Sequence, residues 1–309
     1  MTPQTSESTG AAGVWTFGWQ GLTVQAPESW DLSAYDGARA SGSLSLADGL
    51  RVRLRMRWSA AGKSDDPAED AYRLYERRLQ KSAGAGIAPV RSDAVRAGVS
   101  AQGRNQVIPF EWAVGQGVVY GAVVYDPDAA RLVVAEVCGP REMGRRGARR
   151  VLSSIAFSAD DADTLWSVYG FAFRSPPLYN LESARLESGR LRFLFVRDAS
   201  SWLRIERWSL AAHLLRRVPL DQWPAEYLKL TKLGCRELDT GEPTTWGIHP
   251  SRRFTAELTP SGLRRRTRAI RGRVWHDDAA DRITVVAALG MDPEALDAVA
   301  ATVEHRATP

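Results

Sequence analysis

Two cysteines in 309 residues, Cys138 and Cys235, are too few for a disulfide framework, and they occupy non-equivalent places in the two halves of the chain. That sparing use suits a reducing cytoplasm, which is the location the sequence leads one to expect. Histidine is also scarce. All four (His213, His249, His276 and His305) fall in the second half, so the first half has no imidazole for acid–base or metal chemistry. Long apolar runs are missing too. Residues 118–125 form one of the longest, which is strand-length and far short of the ~20 residues a membrane helix needs. Residues 1–13 are small and polar, without the basic start and apolar stretch of a signal peptide, and read as a disordered tail. Neither charge sign dominates. There are 41 basic and 36 acidic residues, a formal net charge of +5, and the first 158 residues carry 19 and 16 of them. So even an excess permits an anionic partner without demanding one.

What is present is a sequence that repeats itself. Gly21-Leu22-Thr23-Val24, Pro27, Trp30 and Leu32 return as Gly170-Phe171-Ala172-Phe173, Pro176, Tyr179 and Leu181, each displaced by 149 residues. Residues 125–132 are echoed by 275–283. Val151, Ser154 and Ile155 are echoed by Val299, Thr302 and Val303 at a displacement of 148. Three echoes in one order imply a tandem duplication, with repeats at 14–158 and 165–309 joined by an acidic linker at 159–164. With 44% hydrophobic and 25% charged residues, each half has the composition of an ordinary globular domain.

Periodicity outlines the elements. Residues 50–58 alternate strictly, as a half-buried strand does, and 191–195 with 202–205 take the corresponding places. Asp66-Pro67-Ala68-Glu69 is a helix start, with a capping residue, proline at the first position and an acidic first turn. A counterpart runs from about Asp221 to Leu233. Asp-rich turns at 126–130 and 276–281 join two further strands, and helices at 145–154 and 293–303 close the halves. Strands broken by a few helices predict an α+β class, an antiparallel sheet with helices packed on it.

The opening "GLTVQAPESWDL", the mid-domain helix and the closing "RRVLSSIAF" resemble the PsbP-like α/β/α sandwich. The resemblance implies tandem PsbP-like domains and a role in binding or assembling with other proteins. It transfers no functional residues, because that superfamily shares no common site.

Convergent chemistry is hard to find in the residues themselves. His276 sits beside Asp277 and Asp278, but the equivalent first-half turn keeps Asp126 and Asp128 with no histidine, so a solvated turn explains it. His249 lies in a turn before Pro250, and Cys138 ends an apolar strand with no base nearby to activate it. Gly62-Lys63-Ser64 follows a strand as a phosphate loop would, yet the first glycine of that motif would fall at Arg57. The sequence therefore offers no catalytic, cofactor or metal residues, and it predicts a protein that is not an enzyme.

The candidate surface is basic. Arg51, Arg53, Arg55 and Arg57 interleave with apolar residues, so in a strand they share one face about 6.7 Å apart. Arg264, Arg266 and Arg268 lie in a second basic run, and residues 145–150 put arginines on a closing helix. A solvated outer face and a partner surface both fit such residues. Eleven tryptophans add core or interface material, with Trp15, Trp19 and Trp223 the least easily placed. The expected function is a two-domain adaptor or structural subunit that binds other proteins in a larger assembly. Two alternatives remain: binding of nucleic acid or another polyanion through the arginine face, or an enzyme with a site at the domain junction near His249 or His276.

Overall fold

The computed structural model describes residues 13–49, 51–83, 88–92, 106–115, 117–138, 143–258 and 268–306. It divides into two compact units, meeting in sequence between Tyr169 and Gly170.

The first unit opens with a hairpin of β1 (Val14–Trp19) and β2 (Leu22–Pro27). Its turn residues Gln20 and Gly21 have φ of 53° and 76°, the left-handed pair that a two-residue hairpin of this twist requires. A large sheet follows. It contains β3 (Trp30–Gly37), β4 (Ser41–Asp48), β5 (Arg51–Ala60), β6 (Val90–Arg91), β7 (Gln106–Val114), β8 (Gly117–Asp126) and β9 (Arg131–Cys138). These pair antiparallel in the order β3-β4-β5-β9-β8-β7-β6. Helix α1 (Pro67–Ala83) starts where the sequence predicts, with Asp66 Oδ1 accepting the Glu69 N–H at 3.1 Å. Ala68 and Tyr72 of α1 pack on Phe110, Val123 and Leu132 of the sheet. Helix α2 (Gly144–Ser153) and the short β10 (Ala156–Phe157), which pairs with β2, follow, and β11 (Thr164–Val168) ends the unit. Ser167 Oγ of β11 accepts the Gly18 N–H of β1 at 2.7 Å. Residues 159–164, read from sequence as a linker, include Asp160, which pairs with Arg39 at 3.0 Å.

The second unit begins with β12 (Phe171–Ser175) and builds its large sheet from β13 (Asn180–Glu187), β14 (Arg190–Asp198), β15 (Ser201–Ser209), β16 (Cys235–Thr240), β18 (His249–Leu258), β19 (Ala269–Asp277) and β20 (Arg282–Leu289). The order is β13-β14-β15-β20-β19-β18-β16, with β17 (Thr244–Trp246) pairing β18. Helices α3 (Ala211–Leu215) and α4 (Trp223–Leu230) sit on one face. Helix α5 (Pro293–Ala301), capped by Asp292, leads to β21 (Glu304–His305), which pairs with β12. Counted along each large sheet, β5 and β15 are both third, each between a hairpin partner and the strand that follows the Asp-rich turn.

The α+β, PsbP-like expectation is wrong. Of the described residues 55% are strand and 18% helix, arranged in antiparallel sheets of seven, eight, three and three strands, which is a mostly-β architecture. In the second unit, Phe171 and Phe173 of the small sheet meet Phe193 and Phe195 of the large one, with ring centroids as close as 4.9 Å. This is sheet-on-sheet packing, with α3 and α4 on the opposite face of the large sheet. The starts of α1 and α5 were legible, each with a capping aspartate before a proline. The extent of strand was not, because β3, β13 and β16 carry mostly exposed residues and lack clear alternation.

One packing device recurs. Phe110 lies over its register partner Gly121, where an added Cβ would sit 2.2 Å from the ring, and Phe254 covers Gly272 at 2.1 Å. A glycine here leaves room for the cross-strand aromatic to fold flat across the sheet. We expect Gly121→Ala to overpack this site, costing about 1–3 kcal/mol. Thermal unfolding checks it, and an unchanged midpoint contradicts the packing.

Candidate functional site

Strand β5 alternates between core and surface. Leu54, Met56 and Trp58 are buried, while Arg51, Arg55 and Arg57 on the opposite face are exposed. Arg53, on the same face, is half-buried and pairs with Asp48 at 2.6 Å. The arginine ladder thus exists as a geometric feature, with one rung taken by the chain itself.

Beside this face runs α1. Its residues 71, 74, 75, 78, 79 and 82 recur at helical spacing and turn one side toward β5. Between the two lies a groove of about 700 Å³. Arg55 and Arg57 form one wall and Leu74, Arg78 and Leu79 the other, over a floor of Trp112, Leu132, Val134 and Glu136. Leu74 is 42% exposed. Among the described residues Arg55, Arg57 and Arg78 have no ion-pair partner. Glu136 is engaged otherwise. Its Oε1 accepts the Tyr75 hydroxyl at 2.6 Å. Burial pushes the Tyr75 phenol well above its ordinary range and the Glu136 carboxylate adds to it, so Tyr75 stays a neutral donor. Cys138, next on that side of β9, is pushed up by burial as well and stays a thiol.

The same sheet face in the second unit is filled. Glu206 of β15 is completely buried, with Arg190 donating to its Oε2 at 2.6 and 2.9 Å and Arg204 4.0 Å from Oε1. Arg190 also stacks on Trp208 at 3.8 Å, and Tyr227 of α4 is buried beside the cluster. Burial raises the Glu206 carboxyl, and the arginines oppose that rise. By displacement of 149, Glu206 stands where Arg57 stands in the first unit.

The remaining sequence candidates scatter. Arg264 and Arg266 lie outside the described residues. Arg268 donates to the Ser200 carbonyl at 2.6 Å, so it does not form a free ladder. Arg273 is 2% exposed, bound to Asp297 at 2.8 Å and stacked on Trp246 at 4.0 Å. On α2, Arg145 pairs with Glu111. Trp15, Trp19 and Trp223 are core residues. His249 stands 3.9 Å from Asp277 in a shallow cleft of about 490 Å³ that His305 also lines, while His276 is not among the lining residues. Asp277 serves the turn, accepting the Ala280 N–H. Among the described residues no group of three or more His, Cys, Asp or Glu side chains could hold a metal ion, and no helix is long and apolar enough to cross a membrane. Sequence reading missed Leu74, Tyr75, Arg78 and Trp112 as groove residues. The helical spacing of the first three was a usable signal; the approach of Glu136 to β5 was not.

His305 carries a pH consequence. Burial holds its pKa down at about 4, from an ordinary 6.5, and its Nε2 lies 2.8 Å from Thr284 Oγ1. The folded chain therefore favours neutral His305, and the unfolded chain takes up the proton first. Its contribution is complete above pH 6.5 and is lost as pH falls from 6.5 toward 4. Denaturant unfolding at pH 7.5 and 4.5 should show wild type losing more stability on acidification than His305→Gln; equal losses contradict the assignment.

No family model matches the chain, and no curated protein matches it significantly. Among solved structures it is similar to the apo immunity protein TplEi of the T6SS from Pseudomonas aeruginosa, at 10% identity and a TM-score of 0.37, covering 96% of this chain and 97% of that one. The same protein complexed with an "L" peptide scores 0.31 at 11% identity, covering 95% and 97%. Scores this low do not establish a shared fold.

Proposed function

We propose that this chain is a non-catalytic protein-binding component, an adaptor or structural subunit, and that the groove between α1 and β5 receives an acidic segment of its partner. One observation carries the reading. A groove of about 700 Å³ combines an apolar floor with three arginines that have no ion partner among the described residues. Exposed ion pairs are worth only about 0–1 kcal/mol each, so the arginines would set charge preference and encounter rate. Affinity would come from covering the exposed Leu74 and the half-buried Trp112, the kind of apolar and aromatic surface that forms binding hot spots. The second unit supports the charge assignment, because there the chain supplies its own carboxylate, Glu206, to arginines on the corresponding face.

A protein fits better than a nucleic acid. The floor carries a carboxylate, Glu136, and the exposed side of α1 adds Asp70 and Glu76. A phosphate backbone would meet these acids as it tracked along the arginines. The test is capture from the native host, comparing wild type with Arg55→Glu/Arg57→Glu after nuclease treatment. The expected result is a stoichiometric protein that resists nuclease and is reduced at least 10-fold by the double substitution. Recovery of nucleic acid, or a partner indifferent to both substitutions, contradicts it.

A further inference from the structure

The shape of the groove restricts the conformation of what it can hold. Strand β5 is interior to its sheet, with β4 paired along one side from Ser41↔Ser59 to Asp48↔Arg51 and β9 along the other from Leu54↔Val137 to Ala60↔Arg131. Its backbone groups in the groove are thus committed to neighbours. An extended peptide laid on this face would find no sheet edge to extend, and strand addition depends on such an edge. A segment entering an apolar groove must still satisfy its own N–H and C=O groups. A helix does so internally.

Dimensions agree. The groove follows α1 from Ala71 to Ser82, about 16 Å at the rise of an α-helix, which is the length of three turns. Its α1 wall presents residues at three- and four-residue intervals, the ridge pattern into which a second helix packs. Arg55 and Arg57 stand about 6.7 Å apart on β5. Two carboxylates one turn apart on a helix, at i and i+4, are separated by about 6 Å along its axis. The charge pattern and the packing pattern therefore call for one object.

Building on the groove as the binding site, we propose that its occupant is an amphipathic acidic helix of the partner, about three turns long. Its carboxylates, one turn apart, face Arg55 and Arg57, and its apolar stripe lies on Leu74 and Trp112. Toward Arg55 a carboxylate plays the part that Glu206 plays toward Arg204 in the second unit.

The probe is a fluorescein-labelled 16-residue helical peptide with a leucine stripe and glutamates one turn apart on both flanks, titrated against the full chain by anisotropy. Saturable binding is expected. It should weaken at least 10-fold when the glutamates become lysines, when two central residues become proline, and when the chain carries Arg55→Glu/Arg57→Glu or, separately, Arg78→Glu. Circular dichroism establishes that each variant is folded. Equal binding of the proline peptide overturns the helix while leaving the groove as the site. Binding untouched by the arginine substitutions overturns both. Absence of binding by the acidic helix, with partner capture still dependent on Arg55 and Arg57, overturns only the helical occupant.

Discussion

The molecule depends on the pairing of β5 along both its edges. Because β4 and β9 consume its backbone, the strand is fixed in register and its side chains must alternate between the two sheet faces. Leu54, Met56 and Trp58 go to the core at 0–3% exposure, and every arginine between them goes to the other side. A slip of one residue would bury four guanidinium groups, so the apolar set enforces the basic face. The groove then needs only α1 nearby, and α1 is placed by Ala68 and Tyr72 packing on Phe110, Val123 and Leu132.

The second unit shows the alternative use of the same sheet position. There α4 covers the face, and the polar groups beneath it form a closed cluster of Glu206, Arg190, Arg204 and Tyr227. A buried charge cluster of this kind contributes little net stability but is costly to break, since one lost member leaves the others uncompensated. In the first unit Arg55, at the position of Arg204, and its neighbour Arg57 stay exposed, and their carboxylates are proposed to arrive with the partner.

Much of this was readable in the residues, for local reasons. The helix start at Asp66 and the alternation of β5 are written in adjacent residues, and they appear where the sequence puts them. The fold class was misread because helices announce themselves through caps, whereas exposed strands such as β13 and β16 carry no periodic signal. The arginine face was legible; the groove was not. It requires knowing that β9 pairs with β5, bringing Glu136 beside Arg55 from 81 residues away, and no local pattern encodes that pairing. The second basic run is described only from Arg268 onward. Charge density in sequence says nothing of the carbonyl that binds Arg268 or the carboxylate that holds Arg273.

The central claim is that partners bind in the groove beside α1. The most direct measurement places a photo-crosslinking amino acid at Leu74, with Leu230 of the second unit as the exposed control, and maps the adduct by mass spectrometry. The account predicts a crosslink from position 74 to an acidic, helix-forming segment of a partner protein and none from 230. A complex that forms and crosslinks at 230 but not at 74 would contradict it.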